Sequence, residues 1–226
     1  MKERPILFNA EMVRAVLGGR KTQTRRVVKP QPPHWRWADR KWDDSCANVA
    51  ISASREYWVK CPYGLPGDRL WGRETFQWVD PMDWSGTIVE CPSIDKWPLH
   101  PEDWTTGCRE VGVAYRAEGE AEDQLLLPPD LGWRPSIHMP RWVSRINLEV
   151  TGVRVERVRE ISEDDAVDEG IPVMIEGHIW YCADGENTTR EPIDAFETLW
   201  DSINAKHGFG WDSNPWVWVV EFEVAT

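Results

Sequence analysis

Four cations and two hydroxyls stand directly behind a glycine pair in the segment Gly18-Gly19-Arg20-Lys21-Thr22-Gln23-Thr24-Arg25-Arg26. Amines and guanidinium groups of this kind hold phosphates, and hydroxyls and amides beside them hydrogen-bond a base or a ribose. The chain as a whole carries a formal charge of -12, so a basic run in it is conspicuous. Up to Lys41 there are 11 Lys+Arg against 3 Asp+Glu, and beyond it 15 against 35, which gives +8 and -20. Such asymmetry predicts a local site for a phosphate or a nucleic-acid strand on a body that repels nucleic acid elsewhere. A solvated charged turn is the plain alternative for any basic run, and the threonines and glycines set this one apart.

The elements that must carry the segment are readable around it. Ile6 to Phe8 reads as a short strand, and Asn9 caps a helix over Ala10 to Leu17 with Met12, Val13, Val16 and Leu17 on its apolar face. Gly18-Gly19 ends that helix, because glycine takes the left-handed conformation without a Cβ penalty. Thr22 to Val28 then reads as extended. Downstream, Pro66-Gly67-Asp68 forms a turn into a strand through Leu70, Trp71 and Phe76. Val111 to Arg116 alternates as a strand does, and Arg134 to Val158 holds two β-rich runs separated by Thr151-Gly152. Ser162 caps a short helix, Glu163 to Glu169, stopped by Gly170. Pro192 to Lys206 is an amphipathic helix buried through Ile193, Phe196, Leu199, Trp200 and Ile203, and Trp216 to Val224 is a closing strand. Strands outnumber helices, so the expected class is α+β, a small mixed barrel with helices packed at its ends.

Length and composition bound the rest. The 226 residues, 41% of them hydrophobic, suit one elaborated domain over 1–226, with insertions at about 31–60 and 77–134 where periodicity gives way to Pro, Trp and charge. No apolar run approaches the ~20 residues that cross a bilayer, and residues 1–17 lack a signal-peptide core, so a soluble cytoplasmic protein with no membrane partner is expected. Cys46, Cys61, Cys91, Cys108 and Cys182 include no C-x-x-C pair and read as reduced thiols. A metal site joining Cys61 and His138 is not expected, nor is a cofactor. Of the sixteen tryptophans, Trp35, Trp37, Trp42, Trp84, Trp97 and Trp104 sit in polar, Pro-rich surroundings. They either stack on bases, worth ~1 to 3 kcal/mol per base, or staple long loops to the barrel.

The helix followed by GRKTQTRR, the turn and strand GDRLWGRE, the segment SEDDAVDEGI and the closing strand WVWVVEFE together resemble the ASCH domain family. The likeness extends to its larger phage and prophage members through CPYGLPGDRLW and RPSIHMPRW. It covers residues 4–30, 61–76, 134–172 and 193–223. The resemblance implies a β-barrel related to the RNA-binding PUA domain. It also implies a possible activity, since a group of bacterial ASCH enzymes removes the acetyl group from N4-acetylcytidine with a lysine, a threonine and a glutamate. Carried onto this chain these are Lys21 as base, Thr24 as nucleophile and Glu169 as acid. Those enzymes are about half this length, and other ASCH proteins bind or cleave RNA, so the domain leaves the activity open.

A threonine hydroxyl attacks only when a base takes its proton, and a lysine serves only if its pKa falls toward neutrality. Burial and the like charges of Arg20, Arg25 and Arg26 act in that direction. In a straight strand Lys21 and Thr24 point to opposite faces, so a bend after Gly19 must bring them together. The competing reading is a binding module, in which Arg20, Lys21, Arg25 and Arg26 hold phosphates while Thr22, Gln23 and Thr24 contact a base or ribose. Arg69, Trp71, Arg73, Glu74, His138 and Arg141 would then line the groove, with Trp71 stacking on a base. A ribonuclease is the third reading. The expected partner is a nucleoside or a single-stranded nucleic acid, RNA before DNA; the sequence does not report the oligomeric state.

Overall fold

A computed structural model of the chain describes residues 1–31, 42–43, 48–50, 58–79, 87–90, 110–118, 133–171, 173–175, 179–181 and 187–225. In chain order its elements are β1 (Glu3–Leu7), α1 (Ala10–Leu17), β2 (Gln23–Val27), β3 (Trp42–Asp43), β4 (Asn48–Ala50), β5 (Trp58–Lys60), β6 (Arg69–Arg73), β7 (Phe76–Val79), β8 (Thr87–Glu90), β9 (Glu110–Tyr115), β10 (Asn147–Arg157), α2 (Glu163–Asp168), β11 (Val173–Ile175), β12 (Ile179–Tyr181), β13 (Thr188–Thr189), α3 (Pro192–Asn204) and β14 (Trp216–Val224). The chain divides into two compact units, one of 1–4, 15–70 and 148–226, the other of 5–14 and 71–147.

The expected mixture of strands and short helices is present. The largest sheet has the order β1-β6-β10-β14-β2, and β11-β12-β13, β3-β4-β5 and β7-β9-β8 form three small sheets. β1 and β6 run parallel, since the Arg69 N–H meets the Lys2 carbonyl at one end and the Phe8 N–H meets the Arg73 carbonyl at the other. β14 is antiparallel to both β10 and β2. The mixed sheet is open among the described residues, with β1 and β2 at its edges, in place of the closed barrel read from sequence. Just before β2 the chain turns to the end of α2 for its partners: Lys21 bridges Glu169, and the Thr22 N–H reaches the Asp168 carbonyl at 2.9 Å.

In the first unit, strand alternation sorts the sheet into two faces. Gln23, Arg25 and Val27 of β2 stand beside Glu221, Val219 and Val217 of β14, and beyond these beside Gly152, Arg154 and Glu156 of β10. The apolar members of this face, Val217 and Val219, pack with Ala166 of α2 and with Ala195, Phe196 and Trp200 of α3. Pro192 at the first turn of α3 and the Ser162 hydroxyl, which accepts the Asp165 N–H at the start of α2, fix where these helices begin. The opposite face carries Thr24, Trp218, Val220, Phe222, Val153 and Val155, all buried.

The structure differs from the sequence expectations at several points. Thr151-Gly152 does not separate two strands: β10 runs unbroken from Asn147 to Arg157, with a register shift between Val150 and Gly152. A Cβ on Gly152 would lie 2.3 Å from Glu221 Oε2, the end of a flexible side chain, so a larger residue at the bulge would make that carboxylate move. The strand expected through Leu70, Trp71 and Phe76 is two strands, β6 and β7, broken at Glu74-Thr75. Leu17, placed on the apolar face of α1, is 49% exposed, and Ala15 is buried instead. The Leu65-Asp68 turn forms as expected, closed by Asp68 N–H to the Leu65 carbonyl at 2.9 Å, with Gly67 at φ 86°.

The second unit has its own core of Phe76, Trp78, Val113, Tyr115, Met139 and Val143, with Trp142 packed against it. Trp78 stacks on Trp142 with ring centroids 5.4 Å apart. Two short 3-10 turns, Ser136–His138 and Arg141–Val143, follow Pro135 and Pro140 in this unit. Of the tryptophans singled out in sequence, Trp35, Trp37, Trp84, Trp97 and Trp104 lie outside the described residues, and Trp42 is described only as backbone in β3. Cys46, Cys91, Cys108 and Cys182 also lie outside them.

Candidate functional site

The basic segment is anchored at both ends before its side chains do anything. Gly19, at φ 68°, closes α1 in the left-handed conformation, and the N–H groups of Arg20 and Lys21 both reach the Ala15 carbonyl. The chain then runs against the C-terminus of α2. Gly170, at φ 77°, allows this approach, because a Cβ there would lie 2.7 Å from the Lys21 Cβ and 2.8 Å from the Ala15 Cβ. Gly170→Ala is therefore expected to cost about 2 kcal/mol or more, from the left-handed backbone and the overpacking together, read as a shift of the urea midpoint.

This packing buries the Lys21 side chain completely against a carboxylate 148 residues away. Its Nζ donates to the Glu169 carbonyl and to Glu169 Oε2, both at 2.7 Å. An ammonium at the last carbonyls of a helix is well placed for the backbone dipoles. Burial is the largest influence on the Lys21 pKa and pushes it down; Glu169 opposes this through charge and hydrogen bond, and Arg26 and Arg25 reinforce it. The net direction is below the ordinary lysine value, which favours loss of its proton.

Arg25 joins Lys21 in this cluster. Its Nη1 donates to Glu169 Oε1 at 3.2 Å, its Nε and Nη2 to Glu156 Oε1 at 2.9 and 2.6 Å, and its Nη2 to Asp165 Oδ2 at 2.9 Å. The guanidinium also lies 5.8 Å from the centroid of the Phe196 ring. Arg154 extends the network, with Nη2 2.9 Å from both Asp165 oxygens, Nε 3.2 Å from Glu156 Oε2, and an ion pair to Glu221. Gln23 donates from Nε2 to the Asp165 carbonyl and to Asp165 Oδ1, both at 2.8 Å.

Sequence reasoning did not single out Arg154, Glu156, Asp165 or Glu221. A signal was available in VRVER, where Arg154 and Glu156 alternate with valines. Charged side chains two apart on a strand share one face, and that face is covered by helices here. Burial resists ionisation of Asp165, but the Gln23 hydrogen bond and the charges of Arg25 and Arg154 outweigh it and hold the carboxyl at about 2. A carboxylate lowered on folding stabilises the protein above its ordinary value of 3.8 and loses that contribution as pH falls toward 2. Acid unfolding is expected to steepen across this window, and Asp165→Asn to flatten it, as followed by circular dichroism.

Thr24 is 1% exposed and pairs with Val220. Strand alternation puts it on the opposite face of β2 from Gln23 and Arg25, and no hydrogen bond joins it to Lys21. Arg20 and Thr22 are exposed, and Arg26 is partly buried. The other residues read as groove-lining sit as follows. Arg69, in the first unit, is partly buried. In the second unit Trp71 is 7% exposed, with the guanidiniums of Arg73 and Arg141 lying 4.6 and 5.9 Å from its ring centroid. Arg141 also donates to Asn147 Oδ1 at 2.7 Å, and Arg73 to the Ile137 carbonyl at 3.2 Å.

Glu74 is buried and paired with Arg145, whose Nε lies 2.9 Å from Glu74 Oε1; burial raises its carboxyl pKa, against the pull of Arg145. His138 is exposed. Cys61, in the first unit, is buried, and burial pushes its thiol up to about 11, which keeps it protonated at neutral pH. Among the described residues no group of three or more His, Cys, Asp or Glu side chains is placed to hold a metal ion, and no helix is long and apolar enough to cross a membrane. Comparison of the chain with protein-family models, curated proteins and solved structures gave no match in any of the three.

Proposed function

We propose that this chain is a nucleoside-directed protein with an ASCH-type, PUA-like core, and that it acts as an amidohydrolase removing the acetyl group from N4-acetylcytidine or a closely related modified nucleoside. The observation that carries the reading is the buried Lys21–Glu169 pair, joined at 2.7 Å. A base and an acid within one hydrogen bond, shielded from water, are the parts that amide cleavage needs.

In this reading Lys21 acts as a neutral amine. Neutral lysine keeps two N–H donors, enough for the two bonds it makes to Glu169, and a lone pair that can accept a proton. Lys21 and Thr24 are both buried, Thr24 on the face of β2 away from Gln23 and Arg25, so the reading requires the acyl group to enter where β2 edges the sheet among the described residues and to bridge the two. The Thr24 oxygen attacks the acetyl carbon as Lys21 takes its proton. The proton crosses the hydrogen bond to Glu169 and passes to the exocyclic nitrogen as the carbon–nitrogen bond breaks. Cytidine leaves, and the acetyl group remains on Thr24. Water then attacks the ester while Lys21 receives one of its protons. That proton returns to the Thr24 oxygen as the ester bond breaks, and acetic acid departs.

Binding without turnover has less to draw on. Lys21 and Arg25, two of the four cations in the segment, are neutralised by Glu156, Asp165 and Glu169. Of the four, only Arg20 is exposed. Incubating the protein with a panel of modified nucleosides and following the products by mass spectrometry tests the proposal. Cytidine appearing from N4-acetylcytidine supports it. Salt-sensitive binding of RNA or DNA without turnover favours the binding module, and fragments of labelled RNA that disappear in the Lys21→Ala variant favour a ribonuclease.

A further inference from the structure

Glu169 has two carboxylate oxygens, and the cluster uses them differently: Oε2 accepts from Lys21 at 2.7 Å, and Oε1 from Arg25 at 3.2 Å. Lys21 can lose its proton and Arg25 cannot, since a guanidinium stays charged across the range in which proteins are folded. If Lys21 were the only partner of Glu169, its deprotonation would strand a buried carboxylate with no counter-charge, which is strongly unfavourable. Arg25 removes that obstacle. Its side chain is fully buried, and Glu156 and Asp165 grip the remainder of the guanidinium, so one nitrogen is left to face Glu169.

We propose that Arg25 is a positioning residue that acts as the standing counter-cation of Glu169, so that Lys21 can give up its proton without leaving that carboxylate unpaired. This deepens the hydrolase reading and rests on it for its purpose, though not for its test. The charged groups acting on Lys21 are Glu169, Arg25 and Arg26, and those facing Arg25 are Glu156, Asp165 and Glu169. Arg25 works on Lys21 in two ways that share a sign: like-charge repulsion, and competition for the carboxylate that holds the lysine proton.

The test is a pH titration of Lys21 by NMR in the full-length protein, with lysine labelled at Cε and Nζ and the signal assigned by its loss in Lys21→Met. It needs no turnover. Arg25→Gln is expected to raise the Lys21 titration midpoint, and Arg25→Lys, which keeps a cation, to restore most of the shift. A merely structural role would give the two variants the same midpoint. Should Arg25→Gln fail to fold, the charge-balanced pair Arg25→Gln with Glu156→Gln serves in its place, with the same upward shift expected. An unchanged midpoint in the folded variant overturns the proposal, even if acetyl release is observed. An upward shift reversed by lysine supports it, even if N4-acetylcytidine is not turned over.

Discussion

Glu169→Ala is expected to destabilise the protein by about 3 to 5 kcal/mol, the range found when one partner of a buried ion pair is removed. The substitution takes two bonds at once, the Lys21 Nζ to Oε2 bond and the Arg25 Nη1 to Oε1 bond, from side chains with no solvent exposure. The backbone carbonyl of residue 169 still accepts from Lys21, but it carries no counter-charge. The variant's stability also acquires a pH dependence of predictable sign. Lys21 is already lowered by burial, and loss of Glu169 lowers it further. A lysine lowered on folding binds fewer protons in the folded state, so stability rises as pH climbs from the depressed folded value to the ordinary 10.5. Wild type shows this slope, and Glu169→Ala shows it over a wider range. Replacing the pair together, Lys21→Met with Glu169→Leu, is expected to recover part of the loss, because it removes the uncompensated Lys21 charge while the Arg25 Nη1 bond stays broken. Urea unfolding of the two single variants and the double variant at pH 7 and 9 measures all of this, and purely additive effects would contradict it.

The second large effect is on turnover. Lys21→Ala and Thr24→Ala are each expected to reduce cytidine formation from N4-acetylcytidine by ~10²- to 10⁴-fold, the range for a lost general base or for the nucleophile it activates. The controls separate chemistry from folding. Lys21→Arg keeps a cation in the pocket but cannot accept a proton near neutral pH, so it should be as inactive as the alanine variant. Thr24→Ser keeps a hydroxyl and should retain part of the rate. Thr24→Val keeps the β-branch on a face where Thr24 packs among Trp218 and Val220, so it should stay folded and inactive. The rate should also rise with pH through the deprotonation of Lys21, at a midpoint below 10.5.

The sequence made parts of this architecture legible for identifiable reasons. Asn9, Ser162, Pro192 and the glycines at 19, 67 and 170 act through local backbone geometry, so the starts and stops of α1, α2 and α3 could be read within a residue or two. Thr151-Gly152 reads as a break because a turn and a bulge have the same composition; the pairing with β14, which continues through a register shift between Val150 and Gly152, distinguishes them. The basic run was visible as charge. Its neutralisation was not, because the carboxylates that meet Lys21 and Arg25 lie 131 to 148 residues further on. The alternation of Arg154 and Glu156 with valines marks a shared strand face, but no local pattern reports that α2, with Asp165, covers it. The cluster therefore differs from its one-dimensional appearance: two of the cations taken for an anion-facing patch are turned inward and paired.

The proposed hydrolase is tested most directly by incubating the wild-type protein with N4-acetylcytidine, followed by mass spectrometry of the nucleosides and of the digested protein. Cytidine should accumulate with time, and a rapidly quenched sample should carry an acetyl group on the peptide containing Thr24. Cytidine that forms as fast with Thr24→Ala as with wild type, or an N4-acetylcytidine pool left unchanged by the wild type, would contradict it.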